Sequence, residues 1–103
     1  PNVEFTDAAE KALQGAQHLA RENSHASLTP LHLAAAMFSQ PDSLASKILE
    51  RMGKNVTEVR RAISKAVVRI PSQSPAPQTA SPTNGFSAAL ANADKARKTM
   101  GDS

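Results

Sequence analysis

The apolar positions of this chain fall into four stripes of helical period around one stretch that is apolar nearly throughout. That stretch is Leu28-Thr29-Pro30-Leu31-His32-Leu33 followed by Ala34-Ala35-Ala36-Met37-Phe38. Thr29 suits an N-cap, and Pro30 suits the first helical position, where its missing N–H would have no partner. A short helix that is apolar most of the way round must be buried on several sides. Residues 30–39 are therefore predicted to form the central post of a helical domain, with His32 as the polar side chain in its middle. Before it, Ala9, Ala12, Leu13, Ala16, Leu19 and Ala20 make one stripe, which predicts helix 1 over 6–23 with Thr6 as its cap. Residues 23–27 read as a loop. After the post, Gln40-Pro41-Asp42 breaks the helix. Helix 3 follows over about 43–52, with Leu44, Ile48, Leu49 and Met52 as its buried stripe and Gly53 as its stop. Asn55 with Glu58 resembles a capping box for helix 4, which runs to about 69 on Val56, Val59, Ile63, Ala66, Val67 and Ile70.

Composition changes at Pro71. Residues 71–85 hold Pro71, Pro75, Pro77 and Pro82 among Ser, Gln and Thr, without a charge. This predicts an extended linker with no helix longer than one turn. Helix 5 then covers about 86–100, with Phe86, Ala89, Leu90, Ala93, Ala96 and Met100 on one face and Gly101 as its stop. Superposing Thr6 on Thr83 also puts Ala12 on Ala89, Leu13 on Leu90 and Ala16 on Ala93. The echo suggests that helix 5 opens a second copy of the unit that helix 1 opens.

The 103 residues allow one small domain with a modest, alanine-rich core. With no cysteine, neither a disulfide framework nor a thiolate metal site is available. No apolar run approaches the roughly 20 residues of a membrane-spanning helix. The formal net charge of +3 permits an acidic partner without specifying one.

Little in the chain points to catalysis. The glycines at 15, 53, 85 and 101 nowhere form a phosphate-cradling G-x-x-x-x-G-K-[ST] loop. Ser24, His25 and Asp42 hold the residue types of a nucleophilic triad, but the reading favoured for them is a solvated loop. His18, His25 and His32 recur every seven residues, whereas metal binding on one helix favours three- or four-residue spacing. No metal site is expected, and His32 reads as a buried side chain bonded to a nearby backbone group. Helix 4 carries Arg61, Lys65 and Arg69 at four-residue spacing with Arg60 beside them. Between Lys47 and Arg69 seven basic residues face two acidic ones. A solvated face is the plain reading, and a docking surface for something acidic is the functional one. Nucleic acid is disfavoured, since single-strand binding wants stacking aromatics and the three Phe suit the core.

Two features together resemble a family. Helix 1 leads into Leu28-Thr29-Pro30-Leu31-His32-Leu33, and Val68-Arg69-Ile70-Pro71-Ser72-Gln73-Ser74-Pro75-Ala76-Pro77 leads into a helix that ends at Gly101-Asp102. The chain is similar to the amino-terminal domain of Clp-type AAA+ ATPases, in the ClpB-type disaggregase branch, and its linker is most like fungal or plant members. The resemblance implies an all-α fold of two four-helix repeats about a pseudo-two-fold axis. Here the first repeat would be 1–70, the linker 71–85, and 86–103 the first helix of an incomplete second repeat. It implies recognition of unfolded or aggregated client proteins for a hexameric motor, in the cytoplasm and also the nucleus. ATP and Mg²⁺ would belong to motor domains outside this sequence, with no cofactor and no enzyme activity in this chain and no membrane partner. By the same resemblance Thr6, Leu90 and Asp102 match positions bordering a client groove. A small basic nucleic-acid-binding protein and a free-standing adaptor of the same fold are the alternatives.

Overall fold

A computed structural model describes residues 7–39 and 44–99. The element order is α1 (Asp7–Glu22), β1 (Ser27–Leu28), α2 (Pro30–Phe38), α3 (Leu44–Arg51), α4 (Val56–Val68), β2 (Ser81–Pro82) and α5 (Asn84–Thr99). The five predicted helices are present. The two short strands, which the hydrophobic pattern did not reveal, pair in parallel with Ser27 opposite Ser81 and Leu28 opposite Pro82. Thr6, Gln40–Ser43 and Met100–Ser103 lie outside the described residues, so the caps and stops expected there are not on view.

Helix α2 is the post that its composition predicts, packed against α1, α3, α4 and α5. His32, Leu33 and Ala36 are its buried residues. The main cluster combines Ala9, Ala12, Ala16 and Ala20 of α1, Leu28, Leu33, Ala36, and Phe86 and Leu90 of α5. Small side chains let α1 and α2 approach closely. A Cβ built on Gly15 would stand 3.1 Å from that of Ala36.

Helix α3 departs from its predicted stripe. Ile48 is 41% exposed and Met52 63%, while Ser46 is buried. This eight-residue helix packs chiefly against α2 and α4, so periodicity shows an apolar stripe that the packing covers in part. Its stop is as expected. Gly53 takes φ 74°, with Lys54 N–H donating to the Leu49 carbonyl and Gly53 N–H to that of Glu50. At α4, the Asn55 side chain accepts from the Glu58 N–H at 3.1 Å, one half of the expected capping box.

Helix α1 ends in the same motif as α3, but with a serine in the left-handed position. Ser24 has φ 57°, with His25 N–H donating to the Ala20 carbonyl and Ser24 N–H to that of Arg21. A side chain is unfavourable there. Ser24→Gly is expected to raise stability by about 0.5–1 kcal/mol, read from the urea midpoint, because the strain removed exceeds the entropy added to the unfolded chain. The Ser24 carbonyl, which accepts from Gln73 N–H at 2.8 Å, is kept in the variant.

The linker is extended and lies against the loop at 23–28. Ser72 Oγ donates to the Asn23 carbonyl at 2.7 Å, and Gln73 N–H donates to Ser24. Further along, Ser81 N–H donates to the Ala26 carbonyl and Thr83 N–H to that of Leu28. Each strand then feeds through one threonine into a helix. Thr83 Oγ1 caps α5 by accepting from Phe86 N–H at 3.0 Å. The starts of α2 and α5 therefore sit together, and a Cβ on Gly85 would come within 3.3 Å of Pro30.

Candidate functional site

Two histidines organise the junction of loop, post and linker. His25 and His32 are both buried, with exposures of 2% and 0%. The burial of His25 corrects the expectation of a solvated loop. Its backbone is loop, but the turn that closes α1 points the ring inward. Thr29 N–H donates to His32 Nδ1 at 3.0 Å, and Thr29 Oγ1 lies 2.9 Å from the same nitrogen. His32 thus fills, at the third position of α2, the place a Glu or Gln holds in a capping box. Because a backbone N–H can only donate, Nδ1 of His32 carries no proton and Nε2 does. That proton goes to His25 Nδ1 at 2.8 Å, so His25 is protonated on Nε2, which donates to the Ile70 carbonyl at 3.0 Å. The rings meet edge to face with centroids 5.0 Å apart. One directed chain of hydrogen bonds thus runs from the N-cap of α2 to the start of the linker. Burial, then the charge a protonated His25 would carry, holds the His32 pKa below the ordinary 6.5. The pair is a structural latch, and no group of residues suited to hold a metal ion occurs among the described residues.

A depression opens between α1, α2 and α4. Its volume is about 370 Å³, and it is lined by Gly15, Leu19, Ala35, Ala36, Ser64 and Val67 among others. Small residues at 15, 35, 36 and 64 make the hollow. Ser64 and Val68 are shared with a second hollow of about 370 Å³ bordered by Arg61, Lys65 and Arg69. A smaller one of about 70 Å³ joins Ser64 to Arg60 and Phe38. Val68 on the rim is 70% exposed. Arg60, Arg61, Lys65 and Arg69, which the spacing singled out, are all exposed along this edge. On the α1 wall Glu22 pairs with His18 at 3.2 Å.

Of the residues named by resemblance, Leu90 alone is among the described residues. Leu90 is 5% exposed and belongs to the core cluster that α1 and α5 share. Thr6 and Asp102 lie outside the described residues. Asp94, one turn beyond Leu90, is buried and has a partner. The helical stripe of α5 could not single it out, because periodicity assigns charged residues to the surface.

A mostly helical body built on a central Thr-Pro-x-His post with its histidine buried, and with a linker latched across it, is the class of domain that these observations define. Residues 4–103 match the family model described as the Clp repeat (R) N-terminal domain, and the chain belongs to that family. It is 36% identical over 115 residues to heat shock protein hsp98 of Neurospora crassa, covering 97% of this chain and 12% of that protein. It is 35% identical over 103 residues to heat shock protein 104 of Schizosaccharomyces pombe, covering 96% and 11%. The chain therefore spans about a tenth of the length of these curated relatives. Among solved structures, the Hsp104 N-terminal domain from Candida albicans superposes with a TM-score of 0.80 at 29% identity, covering 98% of this chain and 66% of that one. A complex of a ClpV N-domain with a VipB peptide shares the fold with a TM-score of 0.63 at 20% identity, covering 96% of this chain and 63% of that one.

Proposed function

We propose that this domain is a protein-binding module that presents unfolded or aggregated client segments to a Clp-type ATPase motor. The observation that carries this reading is membership of the Clp N-terminal domain family over residues 4–103, with heat shock protein 104-type relatives at about 35% identity. A VipB peptide bound to a domain of this fold supports a protein partner at the level of fold. The motor and its ATP chemistry would lie in the remaining nine-tenths of such a protein. The client groove we assign to the α1–α5 side, and Thr6 and Asp102 are client-contacting candidates by the family resemblance alone. Leu90, given its burial, would shape the floor from beneath. Such a groove buries little area, so binding should be weak and readily reversed, as hand-over to a motor requires.

The test is a titration of the chain with a permanently unfolded protein, followed residue by residue by NMR. Perturbations along α1 and α5 are expected, together with a several-fold weaker affinity for Thr6→Ala and Asp102→Ala. Leu90→Met, which keeps core volume, should bind like the parent. Parental affinity in both border variants would reject the groove. Absence of binding to any unfolded protein would reject the function.

A further inference from the structure

We propose that the trough between α1, α2 and α4 is a second docking site, distinct from the client groove, and that its occupant is an acidic amphipathic helix of a partner protein. The floor is apolar and made of small residues, with Leu19, Ala35, Ala36 and Val67 around Ser64. Because the adjoining hollows share Ser64, the concavity continues from the α1 wall over α4 to the basic edge. Val68, 70% exposed, is an apolar side chain left in water on that path.

The secondary structure of the occupant follows from the walls. All three bounding elements are helices, whose backbone groups are paired internally, so the trough offers no strand edge. An extended segment laid there would find no strand edge with which to pair its N–H and C=O groups. A helix satisfies its backbone itself and needs only a stripe of apolar side chains, at i, i+3, i+4 and i+7, to enter the trough.

The charge of the occupant follows from the rim. Arg60, Arg61, Lys65 and Arg69 are exposed along α4, and none is paired with a carboxylate among the described residues. On the facing wall His18 Nε2 lies 3.2 Å from Glu22 Oε1. The rim thus carries four cations on one side and the Glu22 carboxylate on the other. A helix with its carboxylates on one flank is complementary to it, and that asymmetry also sets which way round the helix lies.

The experiment uses the full chain and synthetic helical peptides of roughly 14 residues, long enough to hold helix when stabilised. One carries a leucine stripe flanked by glutamates on one side, and its control has lysine at each glutamate. Fluorescence anisotropy is expected to show binding of the acidic peptide, weakening with salt, and at least about tenfold weaker binding of the lysine form. Ser64→Trp, which fills an exposed hollow without touching the core, should weaken the acidic peptide by at least about tenfold. The triple variant Arg61→Glu, Lys65→Glu, Arg69→Glu should do the same and bind the lysine peptide instead. Thr6→Ala and Asp102→Ala should leave this binding unchanged, so failure here and failure of the client groove are separable. No binding of the acidic peptide, equal binding of both peptides, or indifference to Ser64→Trp would overturn the assignment. A single-stranded oligonucleotide that displaces the peptide and loses affinity in the triple variant would reassign the edge to nucleic acid and reject the helix.

Discussion

Phe86→Ala is expected to cost about 3–5 kcal/mol, the usual result of truncating a buried phenylalanine. A domain of this size is stable by only about 5–15 kcal/mol, so the variant should be close to unfolding at physiological temperature. Phe86 is 1% exposed and is the largest fully buried side chain among the described residues. The rest of its cluster is mostly alanine, which has no length with which to fill the space it leaves. It is also the third residue of α5, and its N–H is the one that Thr83 caps. Loss of the ring should therefore loosen α5 and the pairing of β2 with β1 before the rest of the body. Hydrogen exchange at 81–95 should accelerate more than at 30–38, and Phe86→Leu, nearer in volume, should lose about 1.5 kcal/mol or less. A uniform loss of protection across both regions would show that α5 is not a separable part of the fold.

His32→Ala should destabilise by about 2–4 kcal/mol, combining a cavity with unpaired buried groups. The substitution removes the acceptor of Thr29 N–H and the donor to His25 Nδ1 together. His32→Gln, with an amide able to serve the capping position, should cost less. In a cycle with His25→Ala, the coupling between the two rings should be about 0.5–3 kcal/mol, since both belong to one chain of bonds. The same chain sets a pH dependence. The folded protein holds His32 neutral, with its pKa below 6.5, while the unfolded chain protonates it near that value. Unfolding thus takes up a proton below about pH 6.5, and stability is full above that pH. It falls as the pH drops toward the lowered folded value, by at most about 1.4 kcal/mol per unit for this residue. Urea titrations at pH 7.5, 6.5 and 5.5 measure the slope. His32→Gln should flatten it, and a slope unchanged by that substitution would remove His32 as its source.

The five helices were legible because each carries a local signal. Thr29-Pro30 opens α2, Asn55 opens α4, Gly53 closes α3, and Ala9, Ala12, Ala16 and Ala20 line one face of α1. Such signals act over a single helical turn and are written in adjacent residues. The family resemblance rested on the same stretches together with the Ile70-Pro71 linker, and the match over residues 4–103 bears it out. The basic edge of α4 was legible too, since four-residue spacing places Arg61, Lys65 and Arg69 together on any helix.

What the tertiary structure decided are the relations between distant segments. Nothing in the loop at 23–27 distinguishes His25 from a solvated histidine, because its burial depends on Ile70, 45 positions away, whose carbonyl accepts its proton. The pairing of Ser27–Leu28 with Ser81–Pro82 joins two segments too short to show alternation. The exposure of Ile48 and Met52 reflects which neighbours reach α3, and the trough beside Ser64 exists only where three helices with small residues converge. Periodicity marks which side of a helix can be buried. Which part of that side is covered, and what hollow remains beside it, is set by the elements that the chain brings against it.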